Sequence, residues 1–109
     1  MDKAMADKKD LQFGEDTALK SKPEVKKPKL YKVILHNDHY TTMDFVVEVL
    51  CRVFHKSGAE ATIIMLEVHK KGYGVCGVFT RDIAVTKVDI VHKLAKEAGF
   101  PLKCSFEPE

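Results

Sequence analysis

Several features that would point to common functions are missing from this chain. It has almost no charge excess: the formal net charge is +2. Residues 1–30 hold eight Lys against six Asp and Glu, and the remainder is balanced. A protein that neutralises a phosphate backbone needs a clear basic footprint, so nucleic-acid binding is not expected. The three cysteines, Cys51, Cys76 and Cys104, show no CxxC spacing and are odd in number, which fits reduced, intracellular thiols packed in a core. No apolar run approaches the roughly 18 residues of a membrane span. The first residues lack the apolar stretch of a secretory signal. They carry several acids and no Arg, unlike an organellar transit peptide. A cytoplasmic protein with no membrane partner is therefore expected. No Ser or Cys stands beside a His in a nucleophile context, so an enzyme is not expected. No internal repeat and no cofactor motif is present.

The hydrophobic content is 45%, enough for one small core in 109 residues. Residues 1–29 are rich in Lys, Asp, Glu and Ala, with Pro23 and Pro28 and no apolar period. They read as a flexible extension, with residues 30–109 as the folded domain. Leu30 to His36 alternates as a strand, and Asn37-Asp38 breaks it as a turn. Thr41 or Thr42 is placed to cap a helix whose apolar stripe is Val46, Val47, Leu50, Val53 and Phe54, with Gly58 as its end. A second helix is expected from about Ala59 to Lys70, stopped by Gly72 and Gly74. Val75 to Thr80 reads as a strand. Thr80 then caps a third helix, whose stripe is Ala84, Val88, Val91, Leu94, Ala95 and Ala98, ended by Gly99 and Pro101. Leu102, Cys104 and Phe106 alternate as a last strand. The order implies an α/β (α+β) β-α-α-β-α-β sandwich, with a three-stranded, largely antiparallel sheet packed against three helices.

The stretch from Leu35 to Met43 concentrates the chemistry. Asn37, Asp38, His39, Thr41 and Thr42 sit beside the apolar helix start Met43 and Val46. A polar cluster next to an apolar slot suits a ligand with one charged end and one greasy end, such as a peptide N-terminus with a bulky first side chain. A free α-amino group is mostly an ammonium at neutral pH and offers three donors. It needs converging acceptors, and Asn37, Asp38 and His69 are an amide, a carboxylate and an imidazole. Met65 and His69 share a helix face four residues apart. If the first two helices pack side by side, Met43, Val46, Met65 and Leu102 border a slot. Burying a Leu or Phe side chain there gives roughly 1.5–3 kcal/mol, and methionine adapts to several shapes. Spacing alone equally allows Met43, Val46 and Met65 as core, Asn37-Asp38 as a plain turn, and His69 as an ordinary surface or core histidine.

Several blocks, in order, resemble the ClpS adaptor family: Tyr31-Lys32-Val33-Ile34-Leu35, Asn37-Asp38, Tyr40-Thr41-x-Met43-x-Phe45-Val46, Met65-Leu66-x-Val68-His69, Cys76-Gly77-Val78-Phe79-Thr80, Thr86-Lys87-Val88 and Pro101-Leu102-x-Cys104. The resemblance spans residues 30 to about 107. It implies an N-end rule adaptor, not an enzyme. Such a protein holds N-degron peptides and proteins beginning with Leu, Phe, Tyr or Trp and delivers them to a ClpA- or ClpC-type AAA+ unfoldase for degradation by ClpP. Carried over by position, Asn37 and His69 bind the α-amino group with Asp38 beside them. Thr41, Met43, Val46, Met65 and Leu102 line the side-chain pocket, with Met43 as the gate against β-branched residues. Asp82 and Lys87 fall where the family meets the unfoldase's N-terminal domain. A monomer without cofactor or metal is expected.

One position departs from the pattern. His39 stands where the family usually has a second acid. A neutral His39 can accept a bond from the ligand, whereas a protonated one repels it. Two other readings stay open: a docking-only regulator that has lost or narrowed N-terminal recognition, and a metal-dependent enzyme built on His36, His39 and His69.

Overall fold

A computed structural model describes residues 27–109. The expected extension, residues 1–29, lies almost entirely outside the described residues. The elements are β1 (Leu30–His36), α1 (Met43–Phe54), α2 (Gly58–Lys71), β2 (Tyr73–Thr80), α3 (Arg81–Ala98) and β3 (Lys103–Pro108). The sheet order is β2-β1-β3, with β1 central and antiparallel to both neighbours. The expected β-α-α-β-α-β sandwich is therefore the fold, and its sheet is antiparallel throughout.

β1 alternates as its sequence demands. Val33 and Leu35 are fully buried against the helices, in one core with Val49, Leu50, Val68, Ala84, Val91 and Cys104. Lys32, Ile34 and His36 take the opposite face. β2 departs from simple alternation because its register against β1 slips between Val33 and Ile34. A bulge of this kind inserts one residue and shifts which side chains point inward. The two glycines of β2 then have steric tasks. A Cβ on Gly74 would stand 2.8 Å from Val68 Cγ2, and one on Gly77 would stand 2.7 Å from the Phe79 ring. Gly74 is thus a packing glycine inside β2, not a helix stop.

The helix ends follow local chemistry, with two differences from expectation. Thr42 is the α1 N-cap, its hydroxyl oxygen accepting from Phe45 N–H at 3.1 Å. α1 ends before Gly58: His55 takes the left-handed conformation (φ 56), and its N–H bonds back to the Leu50 carbonyl. Ser57 and Glu60 form a reciprocal capping box for α2, so Gly58 opens the second helix and does not close the first. Thr80 occupies the N-cap position of α3, but its side chain makes no cap bond. Ala98, expected in the buried stripe, is exposed, and Leu94 is half-buried. His92 ties α3 to β3, its Nε2 accepting from Cys104 N–H at 3.0 Å.

The cysteines pack as expected. Cys76 and Cys104 are buried, and Cys51 is partly buried against the core. Burial pushes the Cys76 thiol far above its ordinary range and the Cys104 thiol to about 12. Both remain uncharged thiols, which makes them poor nucleophiles.

Because Val68 lies directly over Gly74, Gly74→Ala is expected to push α2 away from β2. Forced overpacking of this sort costs about 1–3 kcal/mol. A urea denaturation curve should show a lower midpoint with an unchanged slope; an unchanged midpoint would refute the close packing.

Candidate functional site

The site is assembled where the ends of β1 and α2 meet. α2 stops at Gly72, whose φ of 93° is the left-handed conformation that glycine adopts without steric cost. Gly72 N–H bonds to the Val68 carbonyl at 2.9 Å, and the Gly72 carbonyl accepts from Asn37 N–H, also at 2.9 Å. The loop after β1 is therefore stitched to the last turn of α2, which carries His69.

Asp38 shapes the loop itself. Its Oδ1 accepts from Tyr40 N–H at 2.8 Å and Thr41 N–H at 2.7 Å, and its Oδ2 from the Thr41 hydroxyl at 2.7 Å. Partial burial pushes the carboxyl up. The Thr41 and Tyr40 bonds, with the nearby charge of His39, outweigh it and hold the group below its ordinary range. The loop then runs into the Thr42 cap, which starts α1 and sets Met43 and Val46 beside Met65, Val68 and His69 of α2.

Between these elements lies a cavity of about 240 Å³, lined by Asn37, Asp38, His39, Thr41, Met43, Val46, Met65, Val68 and His69. A cavity of about 150 Å³ is large enough for benzene, so a single bulky side chain can enter. Val46 and Val68 form a buried floor at 6% and 3% exposure, and Met43 stands at the rim at 44%. Neither the Asn37 amide nor the His69 ring has a side-chain hydrogen-bond partner among the described residues. One end of the cavity thus offers unengaged polar groups and the other offers apolar wall.

Most of the residues singled out in the sequence are brought together here. Leu102 is not: it is 3% exposed, lies in the core, and does not line the cavity. Val68 takes a place in the wall that the sequence reading had overlooked. Its spacing, three residues from Met65 and next to His69, was the available signal. Asp38 lines the cavity, but its carboxylate is engaged by the loop. His36 points elsewhere, its Nε2 2.6 Å from Ser105 Oγ on β3, and lines a separate groove on the open sheet face. His36, His39 and His69 are therefore not gathered at one point. Among the described residues no three His, Cys, Asp or Glu are grouped as metal ligands.

Asp82 is exposed in the first turn of α3. Lys87 turns inward. Its ammonium donates to the Val53 carbonyl at 2.6 Å, near the end of α1, and lies 5.9 Å and 5.6 Å from the Phe54 and Phe79 ring centres. A cation there satisfies an otherwise open carbonyl and suits the helix dipole. No described helix is long and apolar enough to cross a membrane.

The fold and cavity define a small α+β binding domain with a two-ended surface pocket. Comparison with known proteins gives that domain its family. The family model for the ATP-dependent Clp protease adaptor protein ClpS matches residues 26–105. The ClpS adapter of Acetivibrio thermocellus is 60% identical over 99 residues, covering 89% of this chain and 100% of its own. That of Syntrophus aciditrophicus is 54% identical over 95 residues, covering 87% and 89%. The solved structure of Agrobacterium tumefaciens ClpS2 bound to L-phenylalaninamide is 48% identical, with a TM-score of 0.74, covering 76% of this chain and 100% of that one. The chain belongs to the ClpS family of Clp protease adaptors.

Two outcomes test this local structure. Asp38→Ala should destabilise the domain by about 1–2 kcal/mol, the usual cost of orphaning loop donors. The native Asp38 carboxyl lies below its ordinary value of 3.8, so this contribution is present above that value and is lost as pH falls through the lower native one. The difference between wild type and Asp38→Ala should therefore be flat above about pH 5 and shrink below about pH 4 in pH-dependent melts. Separately, Lys87→Ala should cost about 1–3 kcal/mol through the lost charge-assisted bond and ring contacts. Unaltered chemical denaturation would show that the ammonium stays in solvent.

Proposed function

We propose that this chain is a non-enzymatic, monomeric, cytoplasmic adaptor. It binds the free α-amino group and the bulky first side chain (Leu, Phe, Tyr or Trp) of N-degron substrates. It then delivers them to a ClpA- or ClpC-type AAA+ unfoldase for degradation by ClpP. The supporting observation is the two-ended cavity. Its unengaged amide and imidazole lie beside an apolar floor of Val46, Met65 and Val68, which matches a ligand with an ammonium and a large side chain on the same carbon. L-Phenylalaninamide, held by the Agrobacterium ClpS2, has that chemistry.

In this reading Asn37 and His69 accept hydrogen bonds from the ammonium, and His39 adds a third acceptor. Asp38 supplies negative charge while holding the loop. Thr41, Met43, Val46 and Met65, joined by Val68, contact the first side chain, with Met43 narrowing the mouth against β-branched residues. Leu102 acts from behind, by packing. For docking, Asp82 is the exposed contact. Lys87 shapes the surface around it by fixing the end of α1 against α3.

The second reading, a docking-only regulator, is favoured by one observation: a histidine in place of an acid at position 39. Fluorescence anisotropy separates the two, using peptides that differ only at residue one. Leu, Phe, Tyr and Trp should bind in the micromolar range or tighter. N-acetyl-Phe should be at least about tenfold weaker, since each lost charge-assisted bond is worth roughly 1.5–3 kcal/mol. Ile and Lys, which keep the amine but fit the apolar floor poorly, should also be at least about tenfold weaker. Equal binding of free and acetylated Phe peptides would remove amino-group recognition and leave the docking-only role.

A further inference from the structure

The cavity has one carboxylate and two imidazoles, and the carboxylate is already engaged. Three donors of the loop occupy Asp38: the N–H groups of Tyr40 and Thr41 and the Thr41 hydroxyl. What remains for an incoming ammonium is the Asn37 amide and the rings of His39 and His69, with Asp38 as a fixed negative charge close by. An imidazole accepts a bond only when neutral; protonated, it is a donor and a cation.

We infer that His39 makes substrate capture proton-gated: when protonated, it is a built-in cation that competes with the substrate's ammonium for the field of Asp38. This rests on reading the cavity as a peptide-amine site. The ionisable groups facing His39 across the cavity are few. The loop contributes Asp38. α2 contributes His69, while Lys70 and Lys71 do not line the cavity. α1 contributes no ionisable group to the lining, only the apolar Met43 and Val46; Asp44 in its first turn lies outside it. Among the described residues no other cationic side chain lines the cavity, and His36 is turned to Ser105. The described residues lining the cavity hold one unit of negative charge, which can be balanced by the His39 imidazolium or by the ligand ammonium, but not by both. An acid at position 39 would add a second negative charge and no competitor. His69 is linked to binding in the same direction, because it too must be neutral to accept. Capture by the protonated site must then release those protons, so binding is linked to pH. In acid the Asn37 amide is the acceptor that remains, so recognition weakens while the bonds from the loop to Asp38 persist.

The test is the slope of log Kd against pH between pH 7.5 and 5.5, where the peptide amine remains mostly an ammonium. It is measured with the full chain and a labelled Phe-initiated peptide. Wild type, His39→Asn, which keeps an oxygen acceptor without titrating, and His39→Asp are compared, each checked by circular dichroism at both pH limits. The expected result is a wild-type slope approaching two protons, a slope about one proton smaller in both variants, and tighter binding by His39→Asp throughout. Parallel curves for wild type and His39→Asn would overturn the inference while leaving the peptide-amine reading in place. Absent binding at pH 7.5, or equal binding of the acetylated peptide, would overturn both.

Discussion

The backbone bond from Asn37 N–H to the Gly72 carbonyl is the constraint on which the site depends. It joins the loop that carries Asn37, Asp38 and His39 to the helix end that carries His69. Gly72 alone can make it at low cost. At φ 93 any side chain would be strained, and this turn aims the carbonyl back toward β1. The next residue, Tyr73, already pairs with His36, so a helix end, a strand start and a strand end converge within a few residues. One such bond contributes only about 1 kcal/mol to stability. Its importance is geometric, because it sets the distance between acceptors that belong to two different elements.

Around that junction the same residues serve the core and the cavity. Val46 and Val68 are core members that also form the floor. The floor is therefore held as rigidly as the domain itself, and Gly74 allows β2 to pack against Val68 from behind. The polar rim is rigid for a different reason. Asp38 engages its own loop through three bonds, leaving the neighbouring amide and imidazole unengaged. One acid is given to architecture while the polar groups beside it stay unengaged.

Much of this was legible in the sequence, because hydrophobic period and turn chemistry agreed. β1 was placed to the residue, α2 and α3 to within a residue or so, and the last strand by its alternation. The misplaced end of α1 has a clear cause. Gly58 looked like a terminator, but His55 took the left-handed position and Ser57-x-x-Glu60 formed a capping box around the glycine. That is a competition between two local signals which residue type alone does not settle. Leu102 and Val68 exchanged places for a tertiary reason: which apolar residue reaches a cavity depends on how helices cross a sheet, not on spacing along one helix. The inward turn of Lys87 is not written in its own helix, because the carbonyl it binds, that of Val53, belongs to another. The commitment of Asp38 to Tyr40 and Thr41 is local, and the Asn-Asp turn hinted at it. A carboxylate that binds a ligand and one that binds its own loop have the same sequence signature.

The two ends of the cavity are not alternatives. Binding costs at least about 4 kcal/mol in lost translational and rotational freedom. Two bonds from an ammonium to neutral acceptors contribute about 3–6 kcal/mol, and a buried bulky side chain about 1.5–3 more. Either end alone nets at best about −2 kcal/mol, short of the roughly −4 kcal/mol of millimolar binding. Both together reach about −5 kcal/mol at best, so the fixed negative charge beside them has to supply the rest of the way to micromolar binding. A site built this way discriminates by requiring two features on one carbon atom. Internal Leu or Phe residues have no free amine, and a free amine on a small residue has no side chain for the floor. Under the proposed peptide-amine reading, selection for chain ends with a bulky first residue follows from the additivity of two weak contacts, without either contact being strong.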